Sequence, residues 1–331
     1  MTQLTARTDT DRPAAAGRRI NAAMIRDYGV LLILVLLFVT LSLTTSNFLT
    51  ARNLMNILDQ NAPLMLIALG TTFVILTGAF DLSSGQIMSL TVVLTTQFSF
   101  LFANPILGIL AAVLVSIPVG AFNGYVISRF RINSFLTTLA SSMVISGIAL
   151  YASSGKLIDL SANQTFTFIG TTRIGGLLPI SVIICLVVFV AFTVLLRYTK
   201  TGRHIYALGA NREAARLSGI SEIRIRTLVY VLGAFAAALA GMILASRTGV
   251  GRVLTGADAM TLSAIAAVVI GGTSIAGGRG AMWRTLVGVL LLALLQNAFN
   301  MMGVPPYWQT IVTGGVIILA VLANATASRK E

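Results

Sequence analysis

The sequence predicts an all-α, polytopic membrane protein of about ten transmembrane helices, with eight as the alternative and both termini cytoplasmic. Three observations carry that prediction. Of 331 residues, 56% are hydrophobic and only 10% charged, with a mean hydropathy of +0.90. Soluble chains carry about 25% charged residues, so a chain this apolar could not cover a soluble surface. The apolar residues gather into runs that cross, or nearly cross, a hydrocarbon core of about 30 Å. The basic residues fall between those runs on alternating sides.

In order, the runs are 28–45, 63–79, 86–102, 106–127, 135–152, 178–196, 227–246, 262–276, 285–300 and 310–323. The run at 262–276 is the weakest. With the N-terminus inside, 18 of the 23 Lys and Arg residues face the cytoplasm. Inverting the chain reverses that bias, and losing one span would strand the basic C-terminus outside. The count is therefore even. The expected organisation is a cytoplasmic tail at 1–27, one transmembrane domain at 28–324 and a cytoplasmic tail at 325–331. The tail carries Arg7, Arg12, Arg18, Arg19 and Arg26. It is too long for the charged region of a usual signal peptide, so the first run reads as a retained span. The net charge of +13 sits in loops, which points to membrane orientation and not to nucleic acid. The outer segment 153–177 reads equally as an interfacial docking element and as a connector.

Two polar breaks interrupt hairpins. The first is GAFDLSSGQ at 78–86. A carboxylate at the bilayer centre costs about 2.5–3.5 kcal/mol, so Asp81 lies at an interface, against other helices or on a water-lined path. Its side chain suits an N-cap of the next helix, and Ser83, Ser84 and Gly85 follow it. The second is IGGTSIAGGRG at 270–280, with Gly271, Gly272, Gly277, Gly278 and Gly280. That density of glycine fits tight packing at a sharp turn or a discontinuous helix at a gate.

Chemistry-bearing clusters are scarce. Cys185 and His204 are the sole cysteine and histidine among ten acidic residues, too few to assemble a metal site or a His-based triad. The phosphate-loop pattern G-x-x-x-x-G-K-[ST] is missing, and the single Gly-Lys pair, Gly155-Lys156, is followed by Leu157. Asp81 is the one acid close to a clear hairpin run. Asp258 falls at the outer end of a run beside Arg252, where the two suit a rim pair.

The longest cytoplasmic connection between runs contains 201–220, TGRHIYALGANREAARLSGI. Asn211 suits an N-cap, Glu213 the first turn and Gly219 the position just past the C-terminus. A helix of about two turns, on the order of 10 Å, follows from Arg212 to Ser218. Arg212 and Arg216 share a face, Ala214 and Ala215 keep another side thin, and Ser221 caps the helix that follows through Arg224 and Arg226. Such a helix suits a groove on a partner protein as well as an anionic lipid surface.

This stretch resembles the ATPase-coupling segment of bacterial ABC importer permeases of the ribose/monosaccharide type. The matching residues are Gly202-Arg203, Tyr206-Ala207-Leu208-Gly209, Asn211, Ala214-Ala215 and Gly219. NFLTARNLMNIL at 47–58 resembles the segment between that family's first two spans. GAFDLSSGQIMSL at 78–90 resembles its GxxDLSxGxxxxL signature, with Ser84 where Val is common. GGTSIAGGRG resembles its late Gly-rich loop. The resemblance implies a multi-pass permease subunit of the bacterial inner membrane, with no enzymatic activity and no cofactor of its own. ATP would be bound by cytoplasmic ABC ATPase subunits, and sugar would arrive from an extracytoplasmic sugar-binding protein. The chain would pair with a second copy or with a sister permease and carry a ribose-type pentose or related sugar by alternating access. It assigns ATPase coupling to Gly202, Arg203, Tyr206, Ala207, Gly209, Asn211, Arg212, Ala214, Ala215 and Gly219. The two polar breaks themselves put Asp81, Ser83, Gly85, Gly271 and Gly272 forward as residues of the translocation path or gate. The competing readings are an ion-coupled secondary transporter, which the scarcity of intramembrane acids disfavours, and a membrane enzyme, for which no polar cluster is found.

Overall fold

The computed structural model describes residues 16–153 and 157–328. Arg7, Arg12, Lys156, Arg329 and Lys330, counted in the charge pattern above, lie outside the described residues. Each of the ten apolar runs folds around one helix. The first six helices are α1 (Ala16–Thr44), α2 (Ala51–Gln60), α3 (Ala62–Leu76), α4 (Ser84–Leu101), α5 (Pro105–Phe130) and α6 (Ser134–Ser153). The outer segment follows as β1 (Ile158–Asp159), α7 (Gln164–Thr171), β2 (Arg173–Ile174) and β3 (Leu178–Pro179). Then come α8 (Ile180–Tyr198), α9 (Lys200–Ala210), α10 (Arg212–Leu217) and α11 (Glu222–Thr248). The chain finishes with β4 (Val250–Gly251), α12 (Ala257–Ile270), α13 (Met282–Met301) and α14 (Pro306–Ser328).

The protein is a helical, multi-pass membrane protein. Among the described residues, five helices, α5, α6, α8, α11 and α13, are long and apolar enough to cross a membrane. The pair α2 and α3, bent by 50°, makes a sixth if taken as one span. Of the helices formed by the remaining runs, α1 has 29 residues and α14 has 23, α4 has 18, and α12 has only 14, in keeping with the weakness of its run. The all-α expectation gives way only at one end, where β1 pairs with β4 and β2 with β3 in two-residue antiparallel ladders.

The bundle is built around α11. Its small residues, Ala234, Ala236, Ala237, Ala238, Ala240 and Ala245, are fully buried. They let α3, α4 and α5 approach closely, as small residues do between helices in lipid. At Gly120 of α5 a side chain would strike the Tyr230 carbonyl of α11. Helix α3 is buried along its whole length. Hydroxyl pairs join its neighbours in the interior. Thr72 and Thr285 lie 2.7 Å apart, as do Thr91 and Ser116. Such bonds between helices contribute roughly 0.6–2 kcal/mol each.

The outer segment docks on this bundle. Asn163 caps α7, and Phe166 is buried with Val92 and Ala245. Gly170 N–H donates to Ser246 Oγ at 2.8 Å. The segment is thus an ordered element fixed to the ends of α4 and α11, which favours the interfacial reading over the connector.

Candidate functional site

Three separate stretches, 76–78, 199–221 and 271–281, meet at one end of the bundle. Thr199 caps α9 by accepting from Gly202 N–H at 3.2 Å, which turns the chain sharply off α8. Gly202 is buried, and a side chain there would collide with the Leu196 carbonyl. Helix α9 ends against the two loops. A Cβ on Gly209 would strike both the Leu76 carbonyl and Gly278 N. Gly278 N–H itself donates to Leu76 O at 2.9 Å, and Gly277 packs on Gly78. Tyr206 donates its hydroxyl to Gly280 O at 2.8 Å. Burial raises that phenol above its ordinary value, with the Arg284 charge acting the other way, so it stays a donor at neutral pH.

Helix α10 stands clear of this joint. Asn211 accepts from Ala214 N–H at 3.0 Å, as its position predicts. Gly219 adopts φ +80°, and Ile220 N–H returns to Ala215 O at 3.0 Å, closing the helix. Ser221 caps α11 through Arg224 N–H. Ala215 faces inward while Arg203, Arg212, Ala214 and Arg216 are exposed. Arg212 bonds Glu222 at 2.7 Å and Arg216 bonds Glu213 at 2.6 Å, so the two arginines do not form a bare cationic face. Ala207 takes part through its carbonyl, which accepts from Asn211 N–H at 3.1 Å.

The first polar break lies deeper. After α3 the chain is unwound until Ser84, and side chains of neighbouring helices bond three of its backbone groups. Phe80 N–H donates to Ser134 Oγ at 3.1 Å, Leu82 N–H to Thr138 Oγ1 at 3.0 Å, and Tyr230 OH to Phe80 O at 2.7 Å. Irregular backbone inside a membrane bundle needs such partners. The Asp81 carboxylate is buried and accepts three bonds, from Ser83 N–H at 2.8 Å, Ser83 Oγ at 2.6 Å and Ser84 Oγ at 2.8 Å. Ser83 Oγ in turn accepts from Asn123 Nδ2 at 3.0 Å. Asp81 thus holds the start of α4 in the manner of a cap. It faces Gly233, the twelfth residue of α11. At 1.5 Å per residue that is about 16 Å from one end of α11 and about 22 Å from the other.

Gly85 opposes α12. Its N–H donates to Thr261 Oγ1 at 2.8 Å, and a side chain there would collide with Ala257 O. Gly271 ends α12 against the Arg284 carbonyl, and Gly272 at φ +88° makes the turn. The expected rim pair of Asp258 with Arg252 is corrected: Asp258 instead accepts from Gln86 Nε2 at 3.0 Å. The reason is that the chain after α11 runs inward along α4 before α12 begins, which carries Asp258 away from the rim.

At the opposite end, Asp59 forms a cluster that sequence reasoning missed. It accepts from Ser181 Oγ, from Arg247 at 2.8 Å and from Arg173 at 3.4 Å. Arg173 also donates to Asn56 Oδ1 at 2.8 Å. The available signal was an acid at the edge of an apolar run; its partners lie more than a hundred residues away.

Comparison with known proteins follows this geometry. Residues 53–321 match the family described as "Branched-chain amino acid transport system / permease component". The chain is 36% identical to the ribose import permease protein RbsC of Escherichia coli K12, over 95% of this chain and 98% of the relative. It is 38% identical to the RbsC of Bacillus subtilis 168, over 92% and 94%. It is 37% identical to the L-arabinose ABC transporter permease protein AraH of Azospirillum brasilense, over 90% and 87%. No solved structure matches the chain. The resemblance read from the four motifs agrees with these relatives. With most of its length matched by the family and by relatives of nearly equal extent, the chain belongs to the family of branched-chain amino acid transport system permease components.

Proposed function

We propose that the chain is the permease subunit of an ABC-type importer for a monosaccharide of the ribose or arabinose kind. The substrate class follows from the relatives, whose names specify ribose and arabinose along nearly their whole length. The chain carries out no chemistry on its cargo. ATP is bound and hydrolysed by cytoplasmic partner subunits, so the permease needs no cofactor. A second copy or a sister permease completes the path, and an extracytoplasmic binding protein delivers the sugar. The chain sits in the bacterial cytoplasmic membrane with both termini inside and an even number of crossings, ten or eight, in keeping with its basic loops.

The supporting observation is the joint of α9 with the two Gly-rich loops. Partner docking at α10 would displace α9, and α9 rests on the backbone of the segments that lead into α4 and out of α12. Work delivered at 200–219 would thereby reach Asp81, Ser83, Gly85, Gly271 and Gly272, which opens one end of the path and closes the other. The lipid-anchoring reading of the same stretch is less favoured, because Arg212 and Arg216 are already neutralised by Glu222 and Glu213.

The test is uptake of labelled D-ribose and L-arabinose by cells carrying the chain with its ATPase and binding protein. Uptake should stop when the partner's ATP-site lysine is replaced. Uptake that persists without the ATPase but collapses with the proton gradient would establish the ion-coupled reading instead.

A further inference from the structure

We propose that the face formed by Thr255 and Asp258 lines a water-filled path at mid-depth, and that Asp258 and Gln86 hold the hydroxyl groups of the solute in passage. The identity of the solute rests on the sugar reading above; the water path does not.

Depth comes from α4 and α11. Gly241 of α11 packs on the Met88 carbonyl, and Gly233 faces Asp81. The stretch 81–88 therefore lies alongside the middle of α11. The chain at 252–258 lies against that same part of α4. Leu254 N–H donates to Ser89 Oγ at 2.9 Å, Gly85 N–H donates to Thr261 Oγ1 at 2.8 Å, and Gly85 abuts Ala257. Residues 252–256 are not helical, and Arg252, Thr255, Gly256 and Asp258 are exposed. Exposed irregular backbone and an exposed carboxylate do not face hydrocarbon at this depth; they line a water-filled cavity or meet protein. The lipid-facing pattern is found elsewhere, as in the exposed Leu107, Leu110 and Leu114 of α5.

The second observation concerns Gln86. It is 7% exposed, and its Nε2 donates to Asp258 Oδ1 at 3.0 Å. Its Oε1 is buried and has no hydrogen-bond partner. A buried amide oxygen without a donor is an exception in proteins and calls for an unmet ligand. The contact with Asp258 engages the amide nitrogen alone. When that contact opens, Oε1 needs a donor, and a carboxylate beside it needs another. A neutral solute rich in hydroxyls supplies both, and its own oxygens can accept from Gln86 Nε2. A cation could bind Oε1 and the carboxylate, but it would leave Gln86 Nε2 without an acceptor once the contact with Asp258 opens, whereas a hydroxyl supplies one. The helix N-termini of α4 and α12 frame the pair, and neither is the site by itself.

Two measurements test this on the assembled transporter. In a Cys185→Ala background, Thr255→Cys should react with a charged methanethiosulfonate at least ~10-fold faster than Leu114→Cys, since only the first is reached by water. Equal rates overturn the water path, as does a disulfide between two copies through the new cysteine, which would make this face a subunit contact. For the solute, Asp258→Asn and Gln86→Leu should each raise the KM for D-ribose or L-arabinose uptake by roughly 10-fold, the loss expected for one hydrogen bond, with ATP turnover retained. Because Asp258 is exposed, Asp258→Asn carries no burial penalty that could be mistaken for this effect. An unchanged KM in both variants overturns the solute contact. Failure of the unaltered protein to carry either sugar overturns the solute contact together with the sugar reading, while the labelling rates still judge the path.

Discussion

The Asp81 carboxylate holds the first turn of α4 with three accepted hydrogen bonds in a place water does not reach. Asp81→Ala would leave three donors unmet, and each buried unmet group costs about 1–3 kcal/mol. A clear fall in melting temperature in detergent is expected, and an unchanged value would show that the serines find other partners. At this scale the sequence was informative wherever cause and partner were close together. Asn211, Gly219 and Ser221 act within three residues of themselves, and each does what its type and position predict. Asp81 was legible as a cap for the same reason. Gln86 and Asp258 were not, since 172 residues separate them and nothing local to either announces the other.

Among elements, α9 and the outer segment carry the sharpest expectations. Gly209→Val places a side chain where Leu76 O and Gly278 N already stand. The variant should insert and retain its ATPase partner, yet lose uptake while ATP hydrolysis continues; normal uptake would dismiss α9 as a transmitting element. Reversing Arg212 and Arg216 to Glu replaces attraction to Glu222 and Glu213 with repulsion. The Arg216–Glu213 pair is exposed and worth about 0–1 kcal/mol, and the mostly covered Glu222 keeps Arg226 at 3.3 Å, so the fold should survive while ATPase stimulation by sugar is lost. At the other end, Asp59 joins α2, β2, α8 and α11. Asp59→Ala leaves two mostly covered guanidinium groups without their carboxylate, a change costing about 3 kcal/mol. Faster protease cleavage within 158–179 should report release of the outer segment. That apolar runs become helices was evident from composition. How deep each helix starts was not, because depth is set by packing against α11, and the half-length α12 follows from the inward course of 250–256.

For the whole molecule, the charge pattern and the contacts give the same sorting of loops. The stretches 76–78, 199–221 and 271–281 gather at one end, while Asp59, Arg173, Ser181 and Arg247 gather at the other. The rule that basic loops stay inside assigns the first set to the cytoplasm. A fluorescent protein fused after Glu331 should therefore be bright in intact cells. A cysteine at Ser161, in the Cys185→Ala background, should react with an impermeant reagent added from outside. The opposite pair of results would invert the orientation and remove the ATPase from reach of α10. Charge asymmetry made this sorting readable in advance. The number of crossings was less so, because short buried helices such as α3 and α12 owe their place to neighbours and not to their own length.

The joint at Gly209 has a mechanical consequence. Leu76, Gly78, Gly209, Gly277 and Gly278 meet main chain to main chain, with no side chain between them to change rotamer. A contact of that kind has little slack: pushing one segment moves the next by nearly the same distance. A filled joint would absorb part of each stroke in torsions, and the absorbed part would grow with temperature. Here the ratio of ATP consumed to solute moved should stay nearly constant between cold and warm cells, and a side chain placed in the joint should make it drift.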